Sequence, residues 1–196
     1  MPWFLETLYQ ATEVVWRIEP GQHLPENLGN PLFVPPGPLS PIKVRLVSDI
    51  DFIPDFVKGP VPNTIFVSGR FKALLERFEP DRHHFIPLHL LNADDYARRT
   101  DLYFFKAGNI TCNALIPEAS DIAPEYLQGL FTRYSKTKLY PRLMWDESVV
   151  RKLHIWIDRY LTGCTLVSDE LYSAMTNLEM CEGGLFRALE SRMQFR

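Results

Sequence analysis

The stretch of this sequence best equipped for chemistry is Asp81-Arg82-His83-His84, with His89 beyond it. Histidines beside a carboxylate are the residue types of general base catalysis and of metal binding. Spacing argues against both. If residues 83–90 are extended, His83 and His89 share one face at about 20 Å, at ~3.3 Å of rise per residue, and His84 faces the other way. The three cannot share a metal, which needs three or four convergent ligands. His154, beside Ile155 and Trp156, reads as a strand-end residue. Carboxylates recur in groups: Asp49, Asp51 and Asp55; Asp94 and Asp95; Glu118, Asp121 and Glu125; Asp146 and Glu147. All fall in predicted loops or at helix starts, and nothing fixes two of them at the separation of a paired-carboxylate hydrolase. They read as solvated loop charge and as charge favoured at helix N-termini. Their second use is to meet a basic partner, steering its association. Tyr134, Tyr140 and Trp145 sit in or beside the polar stretch Ser135-Lys136-Thr137-Lys138, where exposed aromatics serve as interface anchors.

Other familiar chemistries lack their motifs. The glycines are dispersed, with neither GxGxxG nor GxxxxGK[ST], so no loop cradles nucleotide phosphates. There is no GxSxG elbow and no HExxH. Cys112, Cys164 and Cys181 are an odd number at wide spacings and read as reduced, structural residues. Neither cofactor nor metal is expected. Net charge is −3 and no segment is strongly basic, so the clustered footprint of nucleic-acid binding is missing. No apolar run is long enough to span a membrane, and the first nineteen residues lack the pattern of a signal peptide, so a cytoplasmic location is expected.

The elements that position these residues differ along the chain. Ten of the sixteen prolines lie between Pro20 and Pro62, which forbids long helices there. Short extended pieces are predicted at residues 42–47 and 31–34, and the apolar Phe33, Leu46, Ile50, Phe52, Ile53, Phe56 and Val57 predict a segment packed on the domain. Thr64-Ile65-Phe66-Val67 reads as a strand and Ser68 as an N-cap. Phe71, Leu74, Leu75 and Phe78 then form one helix face, ending near Glu79-Pro80. Residues 84–91 and 102–106 read as strands, with a polar loop over 92–101 between them. Pro124 reads as the first residue of a further helix carrying Leu127, Leu130, Phe131 and Tyr134 at helical spacing. Residues 155–161 read as a strand.

A second unit then repeats the first. Thr165-Leu166-Val167 is a strand, Ser168 the cap, and Leu171, Ala174, Met175 and Leu178 a buried helix face, with Asp169 and Glu170 at the positive end of the dipole. Each unit leads into an extended return, residues 84–91 and 185–189. The repeat is equally consistent with an internal duplication and with a junction that simply suits strand-to-helix passage.

The run from His154 through Thr165-Leu166-Val167-Ser168-Asp169-Glu170-Leu171 resembles the C-terminal signature of a bacterial immunity family, immunity protein family eleven, formerly a domain of unknown function. Ile65-Phe66-Val67-Ser68 with Phe85-Ile86-Pro87-Leu88 is similar to its first unit. The resemblance spans about residues 60–190 and leaves the proline-rich third poorly matched. It implies a protein without catalytic residues that neutralises a cognate toxin, encoded next door, by direct stoichiometric binding. It carries no residue-level binding motif. The expected fold is α+β: one domain over residues 1–196, with mixed sheet, two strand-Val-Ser-helix units in residues 64–196, and the proline-rich segment 1–63 wrapped against them. Candidate partner contacts are Asp94, Asp95, Glu118, Asp121, Glu125, Tyr134, Tyr140, Trp145, Asp146 and Glu147. The alternatives are a small hydrolase using residues 81–89 and a scaffold protein.

Overall fold

The computed structural model describes residues 3–7, 16–22, 27–30, 32, 33, 35, 37, 39–47, 53–59, 64–92, 97–98, 101–128, 130–137, 142–161, 165–180, 186–187 and 194–195. Strands β1 (Trp3–Thr7), β2 (Trp16–Ile18), β3 (Ile42–Leu46), β4 (Phe56–Lys58) and β5 (Ile65–Ser68) lead into helix α1 (Gly69–Phe78). Then come β6 (His84–Leu91), β7 (Ala97–Arg98), β8 (Leu102–Lys106) and β9 (Ile110–Thr111), a 3-10 turn (Pro117–Ala119), β10 (Ile122–Leu127) and β11 (Leu130–Lys136). The remainder is β12 (Met144–Trp145), the short helix α2 (Glu147–Val150), β13 (Ile155–Asp158), β14 (Thr165–Val167), α3 (Asp169–Asn177), β15 (Phe186–Arg187) and β16 (Gln194–Phe195). The fold is α+β with mixed sheets.

Among the described residues two sheets carry the architecture. One runs β2-β3-β6-β8-β5-β4, with β7 also on β6; the other runs β15-β1-β14-β13-β9. β3 joins β6 in parallel and β9 joins β13 in parallel, while the other pairs along these two sheets are antiparallel. Pro87 marks the point where β6 changes partners. Residues 84–87 pair with β8 and residues 88–91 with β3, so the missing proline N–H falls at the exchange. The N-terminal segment is woven in rather than wrapped around. β1 pairs on both sides in the second sheet, and β3 lies inside the first with Ile42, Val44 and Leu46 turned to the core. Of the extended piece predicted at residues 31–34, Leu32 and Phe33 are described and neither is in a strand.

The two strand-Ser-helix units repeat at the level of hydrogen bonds. Ser68 Oγ accepts from Phe71 N–H at 3.2 Å, and Ser168 Oγ accepts from Leu171 N–H at 3.1 Å. Each serine N–H donates at 2.9 Å to the carbonyl of the residue before the neighbouring strand, Asp55 before β4 and His154 before β13. Each hydroxyl also meets the side chain of that same residue. Val67 then pairs with Phe56, and Val167 with Ile155. Each copy therefore includes a preceding strand as well as the serine and its helix. Phe71, Leu74 and Leu75 from α1 and Leu171 and Met175 from α3 meet in a common core with Phe56, Val67, Phe105, Ile155, Ile157 and Val167, drawn from both sheets.

Alternation along the strands feeds two further cores. Val57, Phe66, Ile86, Leu88 and Phe104 point to the far side of the first sheet, where Leu28 joins them. Buried Lys106 ties that loop down, donating from Nζ to Asn30 O at 2.5 Å and Leu28 O at 3.1 Å. Burial pulls its pKa down to about 8. On the second sheet Trp156 and Leu166 point away from the helices into a core with Leu115, Leu143, Trp145 and Leu161. The Trp145 and Trp156 rings meet edge to face at 6.1 Å.

The predicted helix from Pro124 does not form. Its residues make the antiparallel hairpin β10–β11 instead, with Leu127 opposite Leu130 across Gln128 and Gly129. Gln128 has φ 51°, the left-handed conformation that two-residue hairpin turns demand. The helical spacing of Leu127, Leu130, Phe131 and Tyr134 was compatible with either structure, and the two-residue turn decides between them.

Candidate functional site

The histidine region is a structural junction. Glu79 caps the C-terminus of α1, its N–H donating to Leu75 O at 2.8 Å, and its carboxylate is buried. Oε2 accepts from His83 Nε2 at 2.7 Å and Ile155 N–H at 3.2 Å; Oε1 accepts from Asn109 Nδ2 at 2.7 Å and His154 N–H at 3.1 Å. Four donors occupy the roughly four acceptor positions of a carboxylate. His83 Nδ1 accepts from Gly108 N–H at 3.1 Å, which leaves the proton for Glu79 on Nε2. Burial pushes the Glu79 pKa up, but the bonds from His83, His154 and Asn109 outweigh it and hold the carboxyl below its ordinary value. This cluster fastens α1 and the entry to β6 onto β9 and β13. The expectation that His83 and His89 share a face is not met: the strand begins at His84, His83 turns its ring inward, and His89 is exposed. Burial lowers the pKa of His84. Among the described residues no group of three or more His, Cys, Asp or Glu could hold a metal.

The opposite arrangement occurs on the β10–β11 hairpin. Its base is rooted: Ile122 and Tyr134 pack against the Trp145–Trp156 core, and Tyr134 N–H donates to Tyr160 O at 2.6 Å. Asp121 staples the entry. Its N–H donates to Arg142 O at 2.7 Å, its Oδ2 accepts from Arg142 N–H at 2.9 Å, and its carbonyl accepts from Thr137 N–H at 3.1 Å. Beneath Tyr160, buried Asp158 accepts from Tyr160 N–H at 2.9 Å and from Thr111 Oγ1 at 3.0 Å. Burial pushes this carboxyl up.

Toward the tip the side chains turn apolar and outward: Tyr126 is 62% exposed, Leu127 67%, Leu130 74% and Phe131 38%. A bulge re-aims them. Glu125 pairs with Arg133 but Tyr126 pairs with Phe131, leaving Thr132 as the extra residue, its Oγ1 donating to Glu125 O at 2.9 Å. Phe131 consequently sits amid rings, with centroids 4.9 Å from Tyr134, 5.4 Å from Tyr160 and 6.2 Å from Tyr126. Partial burial and then the nearby Glu118 charge raise the Tyr134 hydroxyl. The Arg133 guanidinium, 2.5 Å from Glu125, lowers that carboxyl.

The candidate contacts separate accordingly. Glu118, exposed on the 3-10 turn, gathers with Asp121, Glu125 and Tyr134 around the hairpin. Asp146 and Glu147 lie on α2. Asp146 is its N-cap, accepting from Ser148 N–H at 2.9 Å and Ser148 Oγ at 2.6 Å, which lowers its pKa, and Glu147 is exposed in the first turn. Trp145 overturns the expectation of an exposed anchor: it is completely buried in the core under the hairpin and offers no surface to a partner. Asp94, Asp95 and Tyr140 lie outside the described residues. Sequence reasoning missed Tyr126, Leu127, Leu130 and Phe131 as exposed groups. The Gln128-Gly129 pair between two apolar runs was the signal that could have found them.

No helix among the described residues is long and apolar enough to cross a membrane. No curated protein matches the chain. Residues 41–191 match the Immunity protein family (Imm11), so the match takes in β3 and β4 as well as both serine-capped units. Membership points to a non-enzymatic role. The chain belongs to the immunity protein family (Imm11), whose function is the neutralisation of a toxin in polymorphic toxin systems.

Proposed function

We propose that the chain neutralises its cognate toxin by direct, stoichiometric binding, in the cytoplasm of the cell it protects. It acts as one domain, because the central core takes residues from both sheets and from α1 and α3. The observation that carries the reading is the hairpin: four large apolar side chains held outward on a rooted ribbon. Exposed apolar groups of this kind cost solubility, and their use is to become buried in a complex. Glu118, Asp121, Glu125 and Tyr134 form the rim of that surface, with Asp146 and Glu147 on α2 as outlying contacts. Membership of a toxin-neutralising family supplies the partner.

The carboxylate of Glu79 has its acceptor positions filled and the His83 ring has both nitrogens engaged, so this pair is occupied by the fold and does not favour the hydrolase reading. The test is co-expression with the toxin encoded by the adjacent gene in a sensitive host, followed by co-purification. Rescue of growth with co-elution at a fixed ratio is the expected result. Rescue without a complex, or a harmless neighbour, overturns direct inhibition.

A further inference from the structure

We infer that the β10–β11 tip enters an apolar depression on the toxin and is recognised through side chains, with neither strand pairing nor charge steering as the main source of affinity. This rests on the direct binding proposed above. The backbone at the root of the ribbon is closed on both edges. Tyr134 N–H points away from β10 to Tyr160 O, so the Pro124–Tyr134 rung is a non-hydrogen-bonded pair. The Pro124 nitrogen therefore faces the outer edge of β10 and has no proton to donate, while the corresponding donor on β11 is already used. A partner strand could not continue the sheet through this rung.

Charge is also internally satisfied. Glu125 and Arg133, the pair flanking the tip, neutralise each other across the ribbon, and Tyr126, Leu127, Gln128, Leu130 and Phe131 beyond them carry no charge. What remains for a partner is apolar area. Tyr126, Leu127, Leu130 and Phe131 together expose on the order of 500 Å², taking about 200 Å² for a full side chain of this size. Two copies meeting through these tips would bury roughly 1,000 Å² in total, below the ~1,200 Å² at which specific interfaces begin. Self-association is therefore a poor use of the tip. As the apolar centre of a heteromeric interface, with Glu118 on its rim, the same area supplies about half of one side.

The experiment compares wild type with the double variant Leu127→Asp/Leu130→Asp, and with Leu130→Ala as a milder change, in binding to the toxin encoded by the adjacent gene. Thermal unfolding of each variant checks that the fold is intact. The double variant is expected to lose at least about a hundredfold in affinity at an unchanged Tm, and Leu130→Ala about tenfold. Wild-type Kd is expected to change less than about threefold between low and high salt. If wild type binds and the double variant binds equally well, the tip is not the contact although direct inhibition stands. A steep salt dependence transfers the affinity to the carboxylates and overturns the apolar mode. Free wild type sedimenting as a dimer that the double variant dissociates makes a second copy the occupant. Absence of any wild-type complex removes direct binding itself.

Discussion

Glu79 and Phe131 occupy environments that would ordinarily be exchanged. A carboxylate sits in the middle of the molecule with four donors on its two oxygens, and an aromatic ring sits on a projecting ribbon among other rings. The Glu79 network is polar but inward, and it joins elements from both sheets. The hairpin is apolar but outward at its tip. Reactive residue types are therefore a poor guide to function in this chain, because their bonding capacity is used up internally. Large apolar groups left exposed are the better guide.

The contrast predicts that damage at the two places separates stability from binding. Glu79→Ala removes the acceptor from four donors and should cost about 3–5 kcal/mol in denaturant unfolding, while toxin affinity of the folded protein stays unchanged. Because the folded pKa of Glu79 lies below its ordinary value, its contribution is fully present above the unfolded carboxyl pKa. It is lost as pH falls through the lowered value. Wild type and Glu79→Gln should thus converge in stability in acid and diverge toward neutrality; parallel curves would show that the network does not hold the fold.

A gentler break at the same place is Gly108→Ala. A Cβ there would lie 1.7 Å from the Arg82 carbonyl oxygen, so the loop that brings Gly108 N–H to His83 must shift. The expected cost is about 1–3 kcal/mol, read as a lowered Tm with unchanged affinity. An unchanged Tm would mean the loop has room that the geometry does not show.

Asp158 links the two regions, since it is buried like Glu79 yet supports Tyr160 under the hairpin. Its pKa shift has the opposite sign. Burial raises it, so the folded state holds the proton more tightly, and the group favours folding at low pH and loses that advantage as pH rises through the raised value. Asp158→Asn keeps an acceptor for Tyr160 N–H without the charge and should flatten this dependence at little cost. Asp158→Ala should cost about 2 kcal/mol by leaving buried donors unpaired. It should also weaken toxin binding, because the Tyr134–Tyr160 bond that roots the hairpin loosens. Loss of stability without loss of binding would detach the hairpin from its root.

The same contrast explains what was legible in the sequence. Ser68 and Ser168, the helix faces after them, and the strands at residues 84–91 and 102–106 were readable because local signals and burial agree there: the cap is satisfied and the periodic face is the buried face, except at Leu178, expected buried but exposed past the end of α3. The hairpin was not, because apolar spacing predicts structure only when the apolar residues are buried. At residues 122–136 exposure broke that link. The place of β1 within the second sheet was equally hidden, since its partners β14 and β15 come from the far end of the chain and no local pattern announces them. The carboxylate groups marked the neighbourhood of the candidate surface through Glu118, Asp121 and Glu125, but Leu127, Leu130 and Phe131 at its centre read as positions on a helix.

The smallest expected effect lies at the turn. Gln128 holds φ 51°, which disfavours a residue with a Cβ and is tolerated better by asparagine, whose short side chain bonds locally. Gln128→Asn places an Asn-Gly pair at the tip, the sequence preferred by two-residue hairpin turns. It should stabilise the ribbon by about 0.5 kcal/mol, a gain set by the turn alone because Gln128 is exposed. Pre-organising the tip should lower Kd slightly, through slower dissociation, while the change at Glu79 leaves Kd untouched. A measurable drop in Tm would show that Gln128 makes contacts that its left-handed conformation serves. Weaker toxin binding at an unchanged Tm would place the glutamine amide itself within the interface, adding a polar contact to an otherwise apolar tip.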